Sequence, residues 1–141
     1  MKSHKISEEL FQKIKQNIPL SCVDIILIKN DQFLLVKRAI TPYKNKWCLP
    51  GGIIKKNQKI VERLNNVAKC ELGVKVKIIK ALGFYEKIYK DRHDISHCYV
   101  VTTDDKNFTL DFQANEFRFF KHIPDNTALF HVKMLKDAGF N

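Results

Sequence analysis

A carboxylate set into the apolar face of a helix, next to a pair of glycines, is where this sequence concentrates its chemistry. Trp47-Cys-Leu-Pro-Gly-Gly-Ile-Ile leads into a helical pattern that closes on Glu71-Leu-Gly73-Val74. A glycine-rich loop feeding a helix brings backbone groups close enough to hold phosphate or metal. At about 100° per residue, Ile60, Val61, Leu64, Val67, Ala68 and Leu72 share one apolar arc, and Glu71 falls inside it beside Ile60 and Leu64. A carboxylate on a packed face is costly unless it is paired or holds a cation. A divalent metal suits that position; a salt bridge to a nearby lysine is the plainer alternative. Two further charges stand out. Asp24 interrupts the apolar run Cys22 to Ile28 and needs a partner if buried. Arg38 ends a second apolar run, where its planar fork suits a diphosphate or simply faces solvent.

The elements that must position these residues read off the pattern. Ser7-Glu8-Glu9 followed by Leu10, Phe11 and Ile14 predicts a capped amphipathic helix over 7–17. Cys22 to Lys29 is a buried strand, Asn30-Asp31 a turn, and Gln32 to Arg38 its hairpin partner. Thr41 to Lys46 is a loop, and Trp47-Cys-Leu a short strand entering the glycines. A helix over 59–72 ends on Gly73 as its cap. Val74 to Ile78, Gly83 to Tyr89, His97 to Thr103 and Glu116 to Phe120 are strands, with Lys90 to Asp94 a polar turn, and a closing helix covers 127–138. A mixed sheet between helices, an α/β arrangement, is the expected architecture.

At 141 residues the chain is expected to form one domain over 1–141, with room for a real core. No apolar run approaches the ~18–20 residues that span a bilayer, and Met1 to Leu10 lacks the apolar stretch of a signal peptide. Cys22, Cys48, Cys70 and Cys98 are dispersed, without zinc-type spacing, and read as reduced thiols in a cytoplasmic protein. The net charge of +10 favours anionic partners. Its lysines are scattered, however, and aromatic clusters or an arginine stripe are missing, so nucleic acid ranks last among such partners. No membrane partner is expected; a homodimer is compatible with the chain.

Gly52 to Val74 resembles the Nudix box, the loop-helix signature of hydrolases that cleave nucleoside diphosphates linked to another group. Gly52, Glu71, Gly73 and Val74 match it in register, and Ala68 is a small residue at the aliphatic position. Gln58, Asn66, Val67 and Cys70 stand where the box has Glu, Arg, Glu and Glu, so the box is degenerate. The chain from Ile18 to about Phe120 is similar to the GDP-mannose mannosyl hydrolase branch, whose box also keeps only the last helical Glu. Pro19 to Asp24, Phe33 to Arg38, Trp47 to Gly52, Glu71 to Gly73, Tyr89 and Gln113 carry that likeness.

The resemblance implies a Nudix α/β/α sandwich around a central mixed β-sheet. It also implies one Mg2+ or Mn2+, held by the Gly51 carbonyl, Glu71 and Gln113. Asp24, Arg38, Gly52 and Tyr89 would then face the nucleotide or sugar, with Arg38 and Tyr89 in catalytic positions. Ala114 stands where the branch keeps a His as general base, and alanine takes no proton. Arg63, one turn before Asn66, is a substitute for the missing box arginine. His93 and His97 are the remaining base candidates, although a solvated turn His and a cross-strand packing His describe them better. The function expected is therefore metal-dependent hydrolysis of a nucleoside diphosphate derivative, most simply a nucleotide sugar such as GDP-mannose. A catalytically impaired scaffold that senses a nucleotide or binds a protein partner is the alternative.

Overall fold

Ser7 sits in extended backbone and takes the Leu10 amide on its hydroxyl at 3.2 Å, starting the first helix α1, Glu8–Asn17. The structure, a computed structural model, describes residues 5–141, so the first four residues of the N-terminal stretch lie outside the described residues. Strands β1 (Leu20–Lys29) and β2 (Gln32–Arg38) follow, rich in Ile, Val and Leu. Asn30 and Asp31 join them with φ of 54° and 60°, the left-handed pair that a tight hairpin turn demands. Next come β3 (Trp47–Cys48) and β4 (Gly51–Ile53). Helix α2 (Ile60–Val67) continues into a π-helical turn, Ala68–Leu72. Strands β5 (Lys77–Ile88), β6 (His93–Thr102) and β7 (Ala114–Phe120) precede α3 (Leu129–Asp137).

The strands form a seven-stranded mixed sheet among the described residues, ordered β3-β2-β1-β6-β5, with β4 also on β1 and β7 also on β2. The β1–β6 pair is parallel from Leu20↔Asp94 to Leu27↔Val101; every other pair of strands is antiparallel. Side chains alternate across a strand, so β1 serves two cores. Val23, Ile25 and Leu27 pack with Leu64, Val67, Ala68 and Leu72 of the α2 layer. Ile26 packs with Cys98, Val100, Met134 and Leu135, which brings in α3. The helices thus lie on opposite sides of β1, the expected α/β/α arrangement with a mixed sheet.

Several boundaries differ from the sequence reading. Val74 to Ile78 and Gly83 to Tyr89 are not two strands; β5 is one strand of 12 residues with irregular register between Ile78 and Lys80 and between Ala81 and Gly83. Bulges of this kind bend a strand and break its alternation without ending it. His93 lies within β6 and not in the turn before it. The glycine loop contains a strand, β4, because Cys22, Val23 and Asp24 of β1 offer it backbone partners. The 59–72 helix is not uniform: its last turn widens, the Val74 amide reaching the Ala68 carbonyl at 3.2 Å, and Gly73 closes it with φ 70°. Such wide turns recur at functional sites.

Candidate active site

Gly51 and Gly52 lie opposite Asp24 and Val23 in the β1–β4 register, so the glycine pair has one member on each face of the sheet. A Cβ at Gly51 would collide with Asp24 Oδ1 and the Val23 carbonyl. A Cβ at Gly52 would strike the Arg63 guanidinium, which comes from α2 and rests on that glycine. The glycines are needed here for close approach of charged side chains from two layers.

On the α2 side stands Glu71, 8% exposed, with its Oε2 buried and without a hydrogen-bond partner. Arg63 Nε is buried and unpartnered as well. Burial raises the Glu71 carboxyl to about 8, with Asp111 adding to the rise and Arg38 and Arg63 opposing it. The lysine salt bridge is not what the structure shows: no ion pair among the described residues includes Glu71. Arg38, at the end of β2, gives its Nε to the Pro42 carbonyl at 2.6 Å and to Ile40 at 3.3 Å, with Nη2 3.4 Å from Thr41. It is half-buried and braces the 40–42 loop while remaining in electrostatic reach of Glu71. Gln113 donates its side-chain amide to Asp111 Oδ2 at 3.1 Å, which leaves its carbonyl oxygen available.

On the α3 side, Asp24 is buried and accepts from the Ser96 hydroxyl; the His131 Nε2 lies 3.4 Å from its Oδ1. The Leu49 amide donates to His131 Nδ1 at 3.0 Å, so the ring fits its neighbours with its proton on Nε2, toward Asp24. Tyr43 packs on His131 with ring centroids 5.9 Å apart, and its hydroxyl is bonded to that of Tyr89. Burial, and for Tyr89 the bond to Tyr43, holds both phenols above their usual range, so they stay protonated. Arg92 pairs with Asp94 at 2.8 Å in the same layer.

The site residues expected from sequence are therefore divided. Gly52, Glu71, Arg38 and Gln113 belong to the α2 side and its adjoining loop, whereas Asp24 and Tyr89 belong to the α3 side. Gly51 and Asp24 join the two. Tyr89 also lines a cleft of about 370 Å³ between the end of α1 and the β5–β6 turn, with Lys15, Lys90, Arg92 and His93. His93 lies 3.3 Å from Glu86 and His97 lies 3.4 Å from the Ser21 hydroxyl; neither hydrogen-bonds to Glu71, Asp111, Arg38 or Arg63. Val67 is packed in the core and Cys70 is exposed, so neither takes part in the site.

Three residues escaped the sequence reading. His131 shares a helix face with Met134 and Leu135, all buried, so the argument that singled out Glu71 would also have found it. Ser96 alternates with Cys98 and Val100 on the buried face of β6. Asp111 lies in a loop with no periodicity to mark it.

A divalent cation would find hard oxygens here: the orphaned Glu71 Oε2, the Gly51 carbonyl and the Gln113 side-chain carbonyl. No group of three or more His, Cys, Asp and Glu among the described residues forms a metal cluster, so such an ion would depend on backbone and amide oxygens. No helix among the described residues is long and apolar enough to cross a membrane.

The chain is similar to known proteins in sequence and in fold. The chain is 31% identical over 125 residues to the low-salt glycan biosynthesis protein Agl8 of Haloferax volcanii, covering 83% of this chain and 80% of that one. It is 30% identical over 123 residues to the ADP-ribose pyrophosphatase of Methanocaldococcus jannaschii, covering 84% and 72%. The crystal structure of the MutT NUDIX hydrolase from Burkholderia pseudomallei superposes with a TM-score of 0.80 at 16% identity, over 86% of this chain and 98% of that one. Residues 19–137 match the NUDIX domain, and the chain belongs to that family.

Proposed function

We propose that this protein is a metal-dependent hydrolase of a nucleoside diphosphate joined to a sugar or similar group. One observation carries the reading: Glu71 Oε2 and Arg63 Nε are both buried without a partner, and the Arg63 guanidinium rests on Gly52. Buried polar atoms without partners are rare, and this pair suits a ligand that presents both a cation and oxyanions. A metal-bound diphosphate is such a ligand. The names of the two sequence relatives, one for glycan biosynthesis and one for ADP-ribose, support a sugar-linked substrate, and GDP-mannose remains the simplest candidate within the mannosyl-hydrolase likeness.

In this reading Glu71, the Gly51 carbonyl and Gln113 hold one Mg2+ or Mn2+. The ion supplies charge neutralisation for the diphosphate leaving group. Arg63, lying over Gly52, and Arg38, fixed by the 40–42 carbonyls, offer their free N–H groups to phosphate oxygens. Asp24, held by Ser96 and His131 on the other face, backs Gly51 from behind the site, and Tyr89 stays bonded to Tyr43. A second reading is favoured by Ala114, which leaves no proton acceptor at the position of the family base, and by His93 and His97 lying against Glu86 and Ser21 without a hydrogen bond to Glu71. It makes the chain a nucleotide-binding scaffold without turnover.

The test is a screen of products from GDP-mannose, other nucleoside diphosphate sugars and ADP-ribose, with and without Mn2+. Mn2+-dependent release of sugar, sugar phosphate or mononucleotide is expected. Tight binding without product selects the scaffold, and neither binding nor product overturns both readings.

A further inference from the structure

We propose that Asp111 is the second carboxylate of the cation site, in place of the acidic residues missing from the box; the inference rests on the hydrolase reading above. The path of the chain supports it. The Thr109 amide donates to the Leu72 carbonyl at 2.9 Å, directly after Glu71, and Thr109 packs against Gly73. Four residues later the Gln113 carbonyl accepts the Ala39 amide at 2.8 Å, directly after Arg38. The segment 109–113 therefore bridges from the Glu71 end of the π turn to the Arg38 end of β2. Asp111 is its middle residue.

That side chain is fixed. Its Oδ1 accepts the Gln113 amide at 2.9 Å and its Oδ2 the Gln113 side chain at 3.1 Å. Each carboxylate oxygen has a further lone pair free. No Lys, Arg or His among the described residues forms an ion pair with Asp111, or with Glu71. Asp111 is also the charge that most disfavours ionised Glu71. Two carboxylates brought together, one of them buried with an oxygen facing no donor, are an arrangement that a divalent cation relieves.

The degenerate box positions offer no other candidate for the second charge, and Glu62 of α2 is exposed. Val67 is in the core, Cys70 faces solvent, and Gln58 accepts the Lys55 amide at 3.1 Å as a brace of its own loop. Gln113 is neutral, so a dication held by Glu71 and Gln113 alone would keep half its charge uncompensated. With Asp111 the set becomes two carboxylates, a backbone carbonyl and an amide oxygen, leaving positions open for diphosphate oxygens.

The experiment is a calorimetric titration of Mn2+ into metal-free protein, repeated by electron paramagnetic resonance of free Mn2+, for wild type, Asp111→Asn, Asp111→Ser, Gln113→Ala and Glu71→Gln. Asp111→Asn is expected to weaken Mn2+ binding at least tenfold, close to Glu71→Gln and more than Gln113→Ala. Asp111→Ser, which fits any space that Asp occupies, should show the same loss and covers the case of a poorly folded Asn variant. Wild-type affinity in either Asp111 variant, with binding lost in Glu71→Gln, overturns the role of Asp111 alone. Absence of Mn2+ binding in the wild type overturns this inference and the metal-dependent reading together.

Discussion

The two faces of β1 handle buried charge in opposite ways. On the α3 face Asp24 meets Ser96 and His131, His131 takes the Leu49 amide, Tyr43 meets Tyr89, and Arg92 meets Asp94. Each of these groups has a partner within the protein. On the α2 face, one peptide away at the glycine pair, Glu71 Oε2 and Arg63 Nε are buried and have none. The partners are not lacking for want of opposite charge, since Arg63 and Arg38 both act on Glu71 electrostatically. The chain holds the Arg63 guanidinium and the Glu71 carboxyl apart, without an ion pair or hydrogen bond between them. A polar network that serves the fold satisfies itself, while one that must accept a ligand retains unmet bonding capacity at a cost in stability. The contrast assigns stability to the α3 face and ligand capture to the α2 face.

The sharpest test is the pH dependence of the metal-free protein. Glu71 titrates near 8 when folded and near 4.5 in its ordinary state. Between those values the folded chain keeps a proton that the unfolded chain has released, so stability falls as pH rises across that window. At ~1.4 kcal/mol per unit the full effect is of the order of 4–5 kcal/mol. Denaturant unfolding at pH 5 and pH 9 should show a wild-type loss that Glu71→Gln reduces by about that amount. Saturating Mn2+ should oppose the same loss in the wild type. Parallel curves for wild type and variant would mean that Glu71 is satisfied after all, and the contrast between the faces would fail.

The next effect belongs to the α3 face. His131→Ala removes a donor to buried Asp24, orphans the Leu49 amide and opens a hole beside Tyr43. Leaving the buried Asp24 carboxylate short of a donor and the Leu49 amide unpaired costs about 1–3 kcal/mol for each group, and about 3 kcal/mol in all is expected in chemical denaturation. Mn2+ affinity measured on the folded fraction should remain close to wild type. A stable His131→Ala protein with lost Mn2+ binding would reverse the assignment of the two faces.

How much of this was legible before any coordinates follows from periodicity. Glu71 was visible because a helix repeats every 3.6 residues and a charge inside the apolar arc breaks the pattern. Even there the π turn was hidden, since the bond from the Val74 amide to the Ala68 carbonyl leaves no mark in the apolar pattern. Asp24 was visible by the same logic on a strand, though its partner His131 lay 107 positions later in a helix that was read only for its apolar face. β4 was not legible. Its Gly-Gly-Ile has low strand preference, and it exists because β1 offers it a free edge. Nor was the join of β5 legible, because two bulges shift its alternation and imitate two short strands. Asp111 stood in a loop, where position is set by what the ends are tied to, here Leu72 and Ala39.

Arg63 separates the faces by binding, with little change in stability. Its Nε is buried without a partner, so Arg63→Met should leave stability unchanged or raise it slightly. ADP-ribose binding in the presence of Mn2+, followed by calorimetry, should weaken at least tenfold, about 1.4 kcal/mol. Destabilisation by several kcal/mol with unchanged binding would make Arg63 a structural residue and remove the cationic half of the argument.

The smallest effect is expected at Tyr89. Its hydroxyl is bonded to Tyr43, both rings are half-buried, and the ring borders the cleft beside α1. Tyr89→Phe deletes one neutral hydrogen bond and leaves the Tyr43 hydroxyl to find water, which costs about 1 kcal/mol, or roughly 4 °C in melting temperature for a domain of this size. The aromatic wall is kept, so ADP-ribose binding should weaken less than tenfold, a smaller loss than Arg63→Met produces. The comparison between the two variants carries more than either alone. Should Tyr89→Phe weaken binding as much as Arg63→Met while the protein melts unchanged, the Tyr43–Tyr89 pair would be ligand-directed and not structural. The α3 face would then belong to the capture surface, and its internal satisfaction would describe a state that the ligand replaces.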